Sequence, residues 1–225
     1  MTKTIVISLG GSLIVPDSIS IEFLKGFERL IEKSAKKRRK FAIICGGGKT
    51  ARKYQEAASA ISSISAEGLD WLGIMATRLN AHLVKTAFGS YAEEMIIHDP
   101  TKKLAFKKNI VIAAGWKPGW STDYDAVLLA KQLKAKQVIN MSNIDYVYDK
   151  DPRKFSDARP IESISWGDFR KIIGSKWTAG LNAPFDPIAA KEAEKLGLKA
   201  AVIGKNLKNL ESCIEGKEFK GTIIS

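Results

Sequence analysis

The sequence predicts an α/β fold with a mainly parallel central sheet, and three observations carry the prediction. Short β-branched runs alternate along the 225 residues with longer segments of helical period. Most of the runs are apolar throughout, as befits strands covered on both faces. Three of them lead straight into glycine-containing turns, the places where open α/β sheets present their backbone to ligands.

Taken in order, the expected strands are Thr4–Leu9, Phe41–Cys45, Glu94–His98, Asn109–Ala113, Gln137–Met141, Ala200–Ile203 and Thr222–Ile224. The first follows Lys3 and superficially imitates a secretion signal, but no small-x-small cleavage site comes after it. A strand running into a glycine turn accounts for the same residues. Phe23, Leu24, Phe27, Leu30 and Ile31 then make the stripe of an amphipathic helix. That helix closes on Lys36, Lys37, Arg38, Arg39 and Lys40, where cations favour the negative end of the dipole. Ser65–Phe88, Asp123–Lys134 and Asp186–Leu196 read as further helices. The last opens on Asp186-Pro187 and stops at Gly197, which supplies an N-cap, a proline in the first turn and a C′ glycine. The stretch Asp149–Lys176, richer in charge and proline, is expected to be a surface excursion between two lobes of one domain. No linker, low-complexity segment or internal repeat divides the chain.

Composition narrows the chemistry. The 36 Lys and Arg against 24 Asp and Glu give a net charge of +12, which admits nucleic acid, anionic membrane or phosphorylated small molecules. The basic run at Lys36–Lys40 has no interleaved aromatics for stacking bases and reads as a solvated helix end, which argues against nucleic acid as a partner. No apolar run approaches the roughly 20 residues of a membrane span. The two cysteines, Cys45 and Cys213, and the two histidines, His82 and His98, stand apart in sequence. A disulfide framework, a zinc site and a Ser-His or Cys-His nucleophile are therefore not expected, and the chain reads as cytoplasmic.

The glycine turns are Gly10-Gly11-Ser12, Gly46-Gly47-Gly48-Lys49-Thr50, and Gly115-Trp116-Lys117-Pro118-Gly119-Trp120-Ser121-Thr122-Asp123. Glycine lets a backbone approach an anion, and the free N–H groups of a helix start favour a phosphate. The second turn ends like a P-loop but has Ile43 where the required glycine would stand, and its partial dinucleotide fingerprint places Glu67 and Asp70 in a helix instead of at a strand end. The P-loop is rejected, and the dinucleotide fingerprint is weak. In the third turn, Thr122 and Asp125 have capping-box spacing, while Lys117 and the hydroxyls are suited to a phosphate and Asp123 to orienting a cation or a ligand donor. The loop Asn140–Pro152 offers amides, carboxylates and tyrosines fitting a nucleoside.

These motifs, in this order from residue 4 to the carboxyl terminus, resemble the amino acid kinase family, and within it most the archaeal-type uridylate kinases. The resemblance rests on Ser8–Ser12, Gly46–Tyr54, Pro118-Gly119-x-Ser121-Thr122-Asp123, Ser142-Asn143-Ile144-Asp145-x-Val147-Tyr148-x-x-Asp151-Pro152 and Asp186-Pro187. It implies a three-layer α/β/α sandwich, an acceptor-binding lobe over about 1–135, an ATP-binding lobe over about 136–225, and a homohexamer built as a trimer of dimers. It implies Mg²⁺-dependent transfer of the γ-phosphoryl group of ATP to UMP, a step of pyrimidine nucleotide biosynthesis. Ser8, Leu9, Gly10, Gly11, Ser12 and Gly48 would then face the ATP phosphates with Arg52 nearby, and Ser142, Asn143, Tyr148 and Asp151 would surround adenosine. Gly47 and Asp70 would hold UMP, Asp70 through the ribose, and Lys117, Pro118, Gly119, Trp120, Ser121, Thr122 and Asp123 would hold its uracil and phosphate end. Asp186 matches an acidic position near the reacting phosphates, with Asp123 beside the chemistry. Ser8 stands where many members of the family carry a lysine, so Lys49 or another basic residue, with Mg²⁺ bridging the ATP oxygens, is expected to supply the cation. Another small-molecule kinase of the family, or a non-catalytic nucleotide-binding storage protein of the same fold, is the alternative.

Overall fold

A computed structural model describes residues 4–104, 107–152, 154–174 and 185–225. In chain order these form β1 (Thr4–Leu9), α1 (Gly11–Ile14), α2 (Ile21–Lys36), β2 (Lys40–Cys45), α3 (Gly48–Ile61), α4 (Ala66–Phe88), a 3-10 turn (Gly89–Tyr91), β3 (Ile110–Ala113), α5 (Thr122–Gln132), β4 (Gln137–Met141), β5 (Val147–Tyr148), β6 (Pro160–Ile161), β7 (Ser163–Ile164), α6 (Trp166–Ile173), α7 (Pro187–Lys195), β8 (Lys199–Ile203), α8 (Leu207–Glu215) and β9 (Thr222–Ile224).

Successive strand residues point to opposite faces, and here both faces are apolar. Ile5, Ile7 and Leu9 of β1, with Phe41, Ile43 and Cys45 of β2, meet Leu24, Phe27 and Ile31 of α2, Val84 and Phe88 of α4, and Leu210 of α8. Val6, Ala42 and Ile44 turn the other way, onto Ala126, Val127 and Ala130 of α5 and Ala189, Ala190 and Ala193 of α7. The result is the expected three-layer α/β/α sandwich. Its sheet has the order β3-β2-β1-β4-β8-β9-β7, parallel except where β9 runs against β8.

Local chemistry sets most boundaries. The α2 stripe buries Leu24, Phe27, Ile31 and Ala35, the period that the sequence predicts. The Asp186 carboxylate accepts from the N–H groups of Ile188 and Ala189, capping α7, and Gly197 beyond its end has φ 61°.

Three expectations are corrected. Glu94–His98 is not a strand: only isolated bridges, Ala92 to Ile110 and Ile97 to Ala113, tie this segment to β3, because the chain bends between them at Glu94 and Met95. The N-cap of α5 is Ser121 instead of Thr122, since the Ser121 hydroxyl accepts from the N–H of Tyr124. The segment after Asp149 is not wholly an excursion. β5 and β6 form a small hairpin, but β7 pairs with β9, and Trp166 and Phe169 of α6 are buried, the Trp166 ring nitrogen donating to the Leu198 carbonyl at 2.8 Å. The predicted end of that segment, Lys176, lies outside the described residues.

Phe27 is 1% exposed and packs against Phe23 and Phe88, with ring centroids 6.0 and 6.3 Å away. Replacing it with alanine is expected to cost about 3–5 kcal/mol in denaturant unfolding, the range for truncating a buried aromatic.

Candidate functional site

The parallel strands end in step. Leu9 lies opposite Cys45 on one side and Met141 on the other, Ile44 opposite Ala113, and Met141 opposite Ile203. The turns after β1, β2, β3, β4 and β8 therefore share one edge of the sheet. From β1 the chain winds outward to β2 and β3 on one side and to β4 and β8 on the other, so the turn after β1 sits at a topological switch point.

At that point two glycine turns touch backbone to backbone. A Cβ on Gly10 would lie 2.6 Å from the Met141 carbonyl oxygen, and one on Gly46 2.5 Å from the Gly11 nitrogen. Gly48 takes φ +63°, which a larger residue would adopt only with strain. Gly10 N–H donates to Met141 at 2.8 Å, Gly46 N–H to Leu9 at 2.9 Å, and the Asn80 side-chain amide clasps the carbonyls of Gly46 and Gly47. α3 starts here, with Gly47 as its N-cap, no side-chain cap, no acidic residue in its first turn, and Lys49 and Arg52 in its opening residues. Lys49 N–H donates to the Val15 carbonyl at 2.9 Å, and the positive bias of this helix start suits a phosphate.

Two residues assigned to phosphates from the sequence are otherwise engaged. Leu9 is fully buried in the core, and the Ser8 hydroxyl, 3% exposed, donates to Asp123 at 2.7 Å. Either could meet a ligand only through its backbone.

Asp123 lies at the centre. Its Oδ1 accepts from Ser8 and from the Asn140 side-chain amide, each at 2.7 Å. Burial, reinforced by the charge of Asp186, pushes this carboxyl up to about 7, against the lowering effect of the two donors. Ser121 joins the neighbouring elements: its hydroxyl donates to Asp186 Oδ2 while accepting from Tyr124 N–H. Asp125, fully buried on α5, accepts from Trp116 N–H at 3.1 Å through Oδ2, and its Oδ1 has no partner among the described residues. Burial and the nearby Asp186, Asp123 and Asp99 push it up to about 8, overcoming the lowering hydrogen bond from Trp116.

Residues 115–121 form a loop held from several sides. Gly115 N–H donates to the Thr77 hydroxyl at 2.8 Å, Arg78 donates to the Trp116 carbonyl at 3.3 Å, and Gly119 N–H donates to Asp70 at 2.8 Å. Trp116, Trp120 and Tyr124 stack in sequence, with centroids 6.1 and 4.3 Å apart, and the Lys117 ammonium lies 4.1 Å from the Trp116 centroid. Trp120 is thus stacked between two protein rings instead of presenting both faces to a ligand. Across the edge, Ser142 N–H donates to the Ile203 carbonyl at 3.0 Å, Asn143 is exposed, and Tyr148 lies edge-on to Tyr146. Asp151 sits beyond them in the β5–β6 connection, its carbonyl accepting from Lys154 and Phe155.

The edge therefore gathers Ser8, Gly10, Gly11, Ser12, Gly47, Gly48, Lys49, Asp70, Lys117–Asp123, Ser142 and Asp186. Sequence reasoning missed Asn80, Thr77, Arg78, Asn140 and Asp125 as parts of it. Asn140 and Asp125 were within motifs that had been singled out, whereas the other three lie on the interior turns of a helix and carry no local mark. The fold also brings His98 near His82 and Arg78, where burial, and then these neighbours, lower its pKa.

A model of the amino acid kinase family matches residues 3–204. A uridylate kinase of Methanospirillum hungatei is 35% identical to the chain over 226 residues, covering 99% of this chain and 94% of the relative. One from Thermoplasma volcanium is 36% identical over 232 residues, covering 100% and 98%. The crystal structure of uridylate kinase from Archaeoglobus fulgidus superposes with a TM-score of 0.85 at 33% identity, covering 98% of this chain and 99% of that one.

The raised carboxyl of Asp125 makes a signed prediction. In the unfolded chain it ionises near the usual value of about 3.9, whereas in the fold it keeps its proton to about 8. Over that window the folded state binds more protons, and the contribution of this residue to stability falls as pH rises. Asp125→Asn is neutral throughout. Its melting temperature relative to that of the unmodified protein should climb from pH 5 to pH 8, and a constant difference would refute the assignment.

Proposed function

Because the chain belongs to the amino acid kinase family, we propose that it is a uridylate kinase, transferring the γ-phosphoryl group of ATP to UMP to give UDP and ADP. The observation that carries this reading is the meeting, at one sheet edge, of two interlocked glycine turns and an anchored loop at 115–121.

In this reaction a phosphate oxygen of UMP attacks the γ-phosphorus, the bond to the bridging oxygen breaks, and its electron pair leaves on ADP. The acceptor phosphate sheds its second proton near pH 6, so it is already an anionic nucleophile and requires no strong base. What remains for the protein is alignment and compensation of charge. The backbone of Gly10, Gly11 and Ser12 and the start of α3 at Gly48 would line the ATP phosphates, with Lys49 and Arg52 adding positive charge. Ser142, Asn143, Tyr148 and Asp151 would border adenosine in the lobe after residue 135. Gly47, Asp70 and the 117–123 loop would hold UMP in the lobe before it. Asp123 and Asp186 would fix the geometry between them, Asp123 by gathering Ser8 and Asn140, and Asp186 by holding Ser121 at the start of α5.

Among the described residues no three His, Cys, Asp or Glu side chains gather as a metal cage. Mg²⁺ would therefore arrive on the phosphate oxygens of ATP, where it offsets their charge. Tyr54 and Ile61 on α3 and Trp71, Met75 and Leu79 on α4 are exposed on the single chain, and such uncovered apolar side chains favour self-association, in keeping with a homohexamer. A cytoplasmic enzyme of pyrimidine nucleotide biosynthesis is the setting that this reading implies.

An ADP-release assay with ATP, Mg²⁺ and a panel of acceptors tests the reading. Turnover of UMP should exceed that of every other acceptor by about tenfold, about 1.4 kcal/mol of transition-state preference, and no turnover with any acceptor would overturn it. Lys49→Ala is expected to lower kcat by about 10²-fold if Lys49 supplies the missing cation; a loss within about twofold would remove it from that role.

A further inference from the structure

We propose that Asp125 is a positioning residue for the acceptor: by holding the backbone N–H of Trp116 it sets the 115–121 loop in its acceptor-binding shape. The inference rests on the reading of that loop as the seat of UMP.

Nothing in the packing of α5 calls for a carboxyl at this place. Its neighbours Ala126, Val127, Leu129 and Ala130 are fully buried in an apolar cluster, and the helix is already capped by Ser121. A buried carboxyl is costly unless it is compensated, and no cation among the described residues offsets this one. The charged groups facing it among the described residues are Asp123 on its own helix, Asp186 at the start of α7 and Asp99 in the segment beside β3. One oxygen has no partner among the described residues. Its single hydrogen bond among those described runs from Trp116 N–H, nine residues earlier in the chain. An aliphatic side chain would fill the site more cheaply, because a buried carboxyl with few hydrogen bonds costs free energy even when it keeps its proton.

That one bond closes a set. Trp116 is gripped at its N–H by Asp125, at its carbonyl by Arg78 and at its ring by Lys117 and Trp120. The residue before it is fixed by Thr77, and Gly119 is drawn to Asp70, the side chain expected to meet the ribose. Releasing Trp116 N–H would loosen the loop where it leaves β3, displace Gly119 from Asp70, and leave the ATP side untouched.

Asp125→Val and Asp125→Ala, two deletions of different size in case one fails to fold, test the proposal against Asp125→Asn, which keeps an oxygen able to accept from Trp116. Both deletions should raise KM for UMP by about tenfold, leave KM for ATP within about twofold, and leave the melting temperature of the valine variant no lower than that of the unmodified protein. Asparagine should restore most of the loss. Independently of activity, amide exchange in peptides covering 115–121 should quicken by about tenfold in the deletions and not in Asp125→Asn. Unchanged exchange and an unchanged KM for UMP, or an equal rise in both KM values, would overturn the proposal. If the unmodified enzyme turned over no UMP, the functional reading would fall while the exchange measurement still judged the role of Asp125 in the loop.

Discussion

The contact on which the site depends is the one between the turns after β1 and β2, where backbone meets backbone with no side chain between. It leaves no room for a Cβ at Gly11, Gly46 or Gly48, and it draws the start of α3 up against the end of β1. Two consequences follow from one packing choice. Parallel strands ending in step are brought close enough for their turns to form a continuous floor, and the floor is backbone, with the N–H groups of Gly10, Gly46 and Lys49 donating to the carbonyls of Met141, Leu9 and Val15. A sheet edge with ordinary side chains in these turns would hold the same strands but would present methyl groups where charge must be received.

Electrostatics near this floor is arranged by distance from it. Cations stand at the opening of α3, whereas the carboxylates of Asp123, Asp125 and Asp186 lie deeper, at the starts of α5 and α7. Asp123 is met by neutral donors, from Ser8 and Asn140. Burial and mutual repulsion then push Asp123 up to about 7 and Asp125 up to about 8, so near neutral pH the two carry less negative charge than ordinary carboxylates.

Much of this was legible in the sequence, for physical reasons that vary with range. β1, the α2 stripe and the Asp186-Pro187 to Gly197 helix are written in neighbouring residues, so periodicity and caps disclose them. Glu94–His98 has the composition of a strand, but a bend between two bridges is decided by its position along β3 and not by its own residues. Ser121 displaced Thr122 as the cap because its hydroxyl also reaches Asp186, 65 residues away. Thr77 and Asn80 serve turns 38 and 34 residues distant, and nothing beside them in sequence shows that those turns lie across from α4. The order of the motifs made the family readable; the supporting contacts needed the fold.

The fourteen residues of α3 include none that is fully buried, unlike α2, which encloses five. Helices held mainly by one neighbour open at low free energy, while those rooted in a core open only with the whole domain. The end of the site proposed to receive phosphate is therefore mounted on a helix that buries no side chain of its own. A ligand bound at its start would add cohesion that the helix does not draw from the core.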